Sequence, residues 1–242
     1  MVDPVPAKST VEEIRARFDA DVERFSNLET GQTATIDAPL VLDLITDTAV
    51  RLSPAATSAL DIGCGAGNYT LRLLEKIGPL RVTLIDLSRP MLDRAGQRLA
   101  AAGCQHVELQ QADVRTFAFP AQSYDIVMAA AVLHHLREDS EWEHVFRQIF
   151  QSLKPGGSFW ISDLVIQEDD QVDAVMWERY AAYLETLNGA DYRDRVLAYV
   201  EREDTPRPVT WQLKLLERVG FASVEILHKH ACFAAFGGLK AH

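Results

Sequence analysis

Between residues 59 and 163 the chain alternates short apolar runs with helical stretches, and this alternation leaves few folds open. Residues 59–63, 81–86, 106–110, 124–131 and 158–163 read as strands. Residues 68–77, 90–102 and 139–153 read as helices between them, closed by Gly78-Pro79, Gly103 and Lys154-Pro155-Gly156-Gly157. Most of these strands are too apolar to leave one face in water, which marks a parallel sheet covered by helices on both sides. Two further strands, 223–227 and 231–236, follow a helix over 209–219 that ends at Gly220. Their short separation predicts an antiparallel hairpin. The expected architecture is α/β: a doubly wound, seven-stranded sheet, mostly parallel, with an antiparallel last strand.

The flanks fall outside this rhythm. Thr10 and Glu13 have capping-box spacing, and Val11, Ile14 and Phe18 share one helix face. Residues 39–52 read as a second helix, with Leu40, Leu44 and Leu52 at helical spacing and a break at Pro54. Residues 168–204 read as two inserted helices rich in aromatics, among them Trp177, Tyr180, Tyr183, Tyr192 and Tyr199. The expected division is an N-terminal helical lid (1–54), a ligand-binding core (55–165), a helical insert over the acceptor site (166–207), and a last helix with its closing hairpin (208–242). At 242 residues such a fold needs no staple, and Cys64, Cys104 and Cys232 form no CxxC pair, so neither a disulfide framework nor a cysteine zinc site is expected. The start has no basic segment followed by an apolar one, and no run reaches ~18 apolar residues, so a cytoplasmic protein without a membrane span is expected.

The segment Leu60-Asp61-Ile62-Gly63-Cys64-Gly65-Ala66-Gly67-Asn68 runs from a strand through three glycines into a helix. Glycines let the backbone turn sharply against a ligand, and the helix N-terminus adds free N–H donors. Asp86 ends the second strand, where a carboxylate suits a ribose diol. Asp113 follows the third strand and suits an adenine amino group, with Val114 beside the ring. A dinucleotide site prefers G-x-G-x-x-G after an apolar strand. Here the spacing is G-x-G-x-G, and Asp61 would repel a pyrophosphate but suit an ammonium or sulfonium. S-adenosylmethionine (SAM) is therefore favoured over NAD.

Residues 59–67 resemble motif I of the class I SAM-dependent methyltransferases; 82–88, 111–114, 124–136 and 153–163 resemble the motifs that follow. The likeness runs through residues ~55–165 and implies a Rossmann-like fold. It implies that Gly63, Cys64, Gly65 and Gly67 hold the methionine part of SAM and that Asp61 faces its ammonium. It assigns Asp86 to the ribose, Leu87, Asp113 and Val114 to the adenine, and Ala130 to backing the methionyl group; S-adenosylhomocysteine would be the product. Residues 15–19 and the insert resemble the branch that includes the carboxy-SAM synthase of tRNA wobble-uridine modification. That synthase grips an extra carboxylate with an insert arginine; Arg193, Arg195 and Arg202 lie in this stretch.

On the acceptor side, His134 and His135 are candidate general bases, since an imidazole titrates near neutrality. Asp163, Trp177 and Tyr180 are candidate acceptor contacts, Asp163 having a turn-capping role as its other reading. No metal is expected: the histidine pair has no evident third ligand, and His228, His230 and His242 read as scattered. The formal charge of −11 argues against nucleic acid as partner, leaving tRNA as an open minority case. The reading is a SAM-dependent methyltransferase acting on a small or medium-sized molecule, with a homodimer possible. A SAM-modifying enzyme like the carboxy-SAM synthase and a non-catalytic SAM binder are the alternatives.

Overall fold

A computed structural model describes residues 8–27 and 32–242. The strands are β1 (Ser58–Ile62), β2 (Arg81–Asp86), β3 (His106–Gln111), β4 (Tyr124–Ala130), β5 (Leu153–Leu164), β6 (Ser223–His230) and β7 (Phe233–Leu239). They form one sheet in the order β3-β2-β1-β4-β5-β7-β6, parallel except for β7, which runs against both its neighbours. The helices are α1 (Val11–Ala20), α2 (Val22–Ser26), α3 (Ala38–Leu52), α4 (Asn68–Ile77), α5 (Arg89–Ala101), α6 (Asp139–Ser152), α7 (Asp170–Asn188), α8 (Ala190–Glu203) and α9 (Val209–Val219).

Two apolar layers sandwich the sheet. On one face α3, α4 and α5 send Ile45, Leu73 and Leu92 against Leu84, Met128 and Trp160. On the other α6 and α9 send Phe146, Ile149 and Leu216 against Leu60, Val127 and Phe159. A third cluster joins Tyr180 and Leu184 of α7 and Val200 of α8 to Ile36 and to the hairpin turn at Ala231-Cys232. Burial at roughly 25 cal/mol per Å² of apolar surface drives all three.

Three expectations need correction. The four residues Lys154-Pro155-Gly156-Gly157 are not a turn before β5: Leu153 already pairs with Tyr124, and the strand continues after an irregularity. The hairpin strands run longer than expected, the first to His230 and the second, starting later at Phe233, to Leu239, with two residues in the turn. Finally, α3 packs on the sheet through Val41, Leu42, Ile45 and Ala49, so residues 1–54 are not all lid. The described N-terminal parts that line the clefts at the strand ends are α1, α2 and residues 32–35.

Candidate active site

Strand register sets the site. Ile62 of β1 is level with Ile85 of β2 and Ala129 of β4, so Gly63, Asp86 and Ala130 emerge side by side at the carboxyl edge. This is where doubly wound sheets open a crevice. Gly63 has φ +63°, and a Cβ there would stand 2.6 Å from the side chain of Val132. Only glycine fits. The N–H groups of Gly63 and Cys64 donate to the Ile85 carbonyl at 2.8 and 3.1 Å, fastening the loop to β2.

Two carboxylates face this loop, Asp61 buried and Asp86 half-buried. Asp86 accepts from Gly65 N–H and Ser88 N–H, one on each oxygen, both at 2.8 Å. Each oxygen keeps a lone pair for a further donor. Burial pushes its carboxyl up to about 6. Asp61 accepts from Thr70 Oγ1 at 2.6 Å, and burial pushes it up to about 7. A ligand carrying a cationic centre and hydroxyl donors would satisfy both groups.

Three connected clefts run along the strand ends. The first, about 540 Å³ with its mouth, is lined by Leu87, Asp113, Val114 and Arg115 together with Gly63, Asp86 and His135. Arg115 was not foreseen: its guanidinium takes both Asp113 oxygens, at 2.5 to 3.1 Å. Burial works against the Asp113 charge, but Arg115 outweighs it and holds the carboxyl below its ordinary value. The second, about 740 Å³, is lined by Asp61, Gly63, Cys64, Gly65, Tyr69, Asp86, Leu87, Ala130 and His135. The third, about 900 Å³, shares Phe18, Phe25, Gln32, Tyr69 and Ala130 with the second and extends to Arg17, Arg24, Tyr180, Tyr199 and Phe233.

Gly67 lies behind the loop. It caps α4 at φ +81°, and a Cβ there would stand 3.2 Å from Ala95 of α5, so its work is helix packing and not ligand contact. Burial pushes the Cys64 thiol well up, which leaves it an inert filler.

Between the second and third clefts lies a histidine–carboxylate cluster. Leu133, His134 and His135 form a 3₁₀ turn after β4. The N–H groups of Leu133 and His134 donate to Asp163 Oδ2 at 2.9 and 3.1 Å. Asp163 Oδ1 accepts from Leu164 N–H at 2.8 Å and pairs closely with His134 Nδ1. Burial alone would lower the His134 pKa, but Asp163 and Asp204 together override it and raise the ring to about 9. His134 is thus protonated at neutral pH, which corrects its expected role as a base. His135 is pushed down by burial and by the His134 charge, so it stays neutral. Asp204 is drawn below the usual carboxylate range by both histidines, despite its burial. Asp204 Oδ1 stands 3.2 Å from His135 Nδ1, yet neither atom has a hydrogen-bond partner, nor has His135 Nε2.

Of the expected acceptor contacts, one is corrected. Asp163 lines the third cleft, with its carboxylate oxygens taken up by the histidine turn and by Leu164 N–H, so it positions that turn from the cleft wall. Trp177 donates to Asp173 at 3.0 Å and packs on Tyr180 outside the clefts. Tyr180 does line the third cleft, buried against Phe233. The insert arginines lie elsewhere: Arg193 pairs with Glu185 and Asp194, Arg202 with Glu203, and Arg195 is exposed. Arg17 and Arg24, from α1 and α2, reach the third cleft in their stead.

Residues 59–157 match the methyltransferase domain family. The carboxy-S-adenosyl-L-methionine synthase of Wolinella succinogenes is 29% identical over 209 residues, 81% of this chain and 82% of that protein. The demethylmenaquinone methyltransferase of Listeria welshimeri is 27% identical over 193 residues, 76% and 78% of the two chains. A Haemonchus contortus N-methyltransferase, solved with phosphomonomethylethanolamine and S-adenosylhomocysteine, shares the fold at a TM-score of 0.68. It is 16% identical and aligns over 97% of this chain and 61% of that one. Residues 59–157 thus carry a methyltransferase domain, and the chain is similar to SAM-dependent methyltransferases over most of its length and shares their Rossmann-like fold. The cofactor of that family is SAM. No helix among the described residues is long and apolar enough to cross a membrane.

Proposed function

We propose that the chain is a methyltransferase (EC 2.1.1.-) that moves the methyl group of SAM onto a small or medium-sized acceptor with a flat apolar surface, bound in the third cleft. The observation that carries this reading is the buried pair His135 and Asp204, 3.2 Å apart but short of hydrogen-bond geometry, on the wall between the cofactor side and the acceptor side. Unpaired buried polar atoms cost about 1–3 kcal/mol each, and a ligand hydroxyl or amine would relieve them.

SAM supplies a methyl group already activated on a sulfonium. Asp86 would accept the ribose hydroxyls, Asp61 the ammonium, and Asp113 with Val114 the adenine edge. The remaining work is alignment, which tight walls perform by holding the acceptor near its attack geometry. Phe18, Phe25, Tyr69, Tyr180 and Phe233 offer such walls. His135, on the wall of the second cleft, would take the proton that the acceptor loses on methylation. His134, charged and tied to Asp163, holds the turn. The net charge of −11 supports a small molecule over tRNA, and a cytoplasmic location accords with such chemistry.

The similarity to a carboxy-SAM synthase supports a second reading, in which the cofactor itself is modified. The position of the insert arginines outside the clefts weighs against it. The deciding experiment supplies methyl-labelled SAM with a metabolite extract or with bulk tRNA. The proposal expects label in a small molecule together with S-adenosylhomocysteine. Label in tRNA, or a carboxylated SAM without methyl transfer, overturns it.

A further inference from the structure

Away from the clefts, the outer strand β6 carries a second histidine–carboxylate group. The two histidines that read as scattered meet on one aspartate: His228 Nε2 lies 2.9 Å and His230 Nδ1 2.8 Å from Asp37 Oδ2. One donor atom from each of the three lies within 4.8 Å of the other two. We propose that Asp37, His228 and His230 bind a divalent transition-metal ion of the zinc class.

The donor set fits that ion. Two imidazoles and one carboxylate suit zinc and its first-row neighbours, whereas calcium and magnesium take oxygen ligands. Three protein ligands leave room for water.

The backbone on both sides presents these donors. The pairing of β6 with β7 shifts register between Ile226 and His228, which makes Leu227 an extra residue. Beyond it, His228 and His230 stand two apart on one face of the strand. Asp37 occupies the N-cap of α3, where an aspartate ordinarily accepts from the helix's own first N–H groups. It makes no such bond. Its backbone is left-handed, φ +58°, and its carboxylate turns toward the two rings. In the ion-free state one carboxylate oxygen receives both ring N–H groups. On binding, those nitrogens give up their protons and the opposite ring nitrogens take protons from water, so two neutral imidazoles become ligands with no net proton release. The neighbouring cation, Lys229, is turned away and donates to the Ala231 carbonyl at 3.0 Å. His230 is half-exposed, so the ion has access from solvent.

The location ties the ion to the proposed active site. Gln32, Ala34, Thr35 and Ala38, on either side of Asp37, wall the third cleft. A bound ion would staple that wall to the sheet's outer strand. The buried group of His134, His135 and Asp204 differs: it lies between the clefts and keeps His134 on Asp163.

The test uses the full chain, stripped with chelator and titrated with Zn²⁺ by calorimetry and with Co²⁺ by visible absorption. The expected result is one ion per chain and the absorption bands of Co²⁺ at a site of low coordination number. His230→Gln and Asp37→Asn should each weaken Zn²⁺ at least tenfold, 1.4 kcal/mol. His144→Gln, at an exposed histidine remote in sequence, should not. Because His230 is half-exposed, its variant should keep the wild-type circular dichroism and melting midpoint without metal. Absence of Zn²⁺ heat in the wild type overturns the proposal, as does unchanged affinity in a His228→Gln/His230→Gln double variant.

Discussion

The buried pair of His134 and Asp163 makes a sharp prediction about Asp163→Asn. A histidine whose folded pKa lies above its unfolded value stabilises the fold fully below the unfolded value, and that contribution is lost as pH rises through the folded one. For His134 the window runs from 6.5 to about 9. That gap, at 1.36 kcal/mol per unit, is worth about 3 kcal/mol. Asp163 supplies the larger part, with Asp204 behind it. An asparagine can still accept from the Leu133 and His134 N–H groups through its carbonyl. Its amide would then face His134 Nδ1 and Leu164 N–H, donor against donor. The variant should therefore lose about 2–3 kcal/mol more at pH 6 than at pH 10, where the wild-type ring is neutral as well. For a chain of this size the extra loss corresponds to a melting point lower by roughly 4–12 °C. Urea unfolding of both proteins at the two pH values measures it directly. An equal loss at pH 6 and pH 10 would refute the charged pair, and with it the reason for assigning proton acceptance to His135.

Asp86→Ala should weaken SAM by about 1.5–3 kcal/mol, the worth of a charge-assisted hydrogen bond, as read by calorimetry; unchanged affinity would sink the ribose assignment. SAM affinity should also depend on pH. Burial pushes Asp61 up to about 7 and Asp86 up to about 6; the ionised Asp61 attracts the ammonium and the ionised Asp86 accepts the ribose hydroxyls, so affinity should fall by up to about tenfold per unit as pH drops below 7. A flat affinity between pH 5 and 8 would mean that neither carboxylate faces the ligand's charge.

The sheet was legible because its strands are apolar runs bounded by glycine and proline, signals that act locally. The carboxyl-edge acids Asp61, Asp86 and Asp113 were legible for the same reason: each closes or adjoins a strand. Pro155 and Gly156-Gly157 misled, because turn chemistry and a bulged strand use the same residues; pairing of Leu153 with Tyr124 decided between them. Asp204 carried no signal. It lies at the exit of the insert and reaches the histidines only through tertiary packing. Phe18 read as sharing a helix face with Val11 and Ile14, and nothing local said which end of the sheet that face would cover. His228 and His230 have a spacing that means something only once β6 extends past its bulge, and Asp37 lies some 190 residues away in sequence.

Arg17 of α1 donates to Glu203 Oε2 at 3.0 and 3.1 Å and to the Tyr199 hydroxyl at 2.6 Å. Lys8 donates to the Glu201 and Asp204 carbonyls, both at 2.6 Å, and Ser9 N–H to that of Arg202 at 3.2 Å. In binding terms α1 is a ligand of the chain's own insert. Docking of α1 is then a unimolecular equilibrium, indifferent to protein concentration. Salt should weaken it, because an ion pair lies at its centre. Anything that occupies the clefts beneath both partners favours the docked state by its differential affinity for that state and by no more.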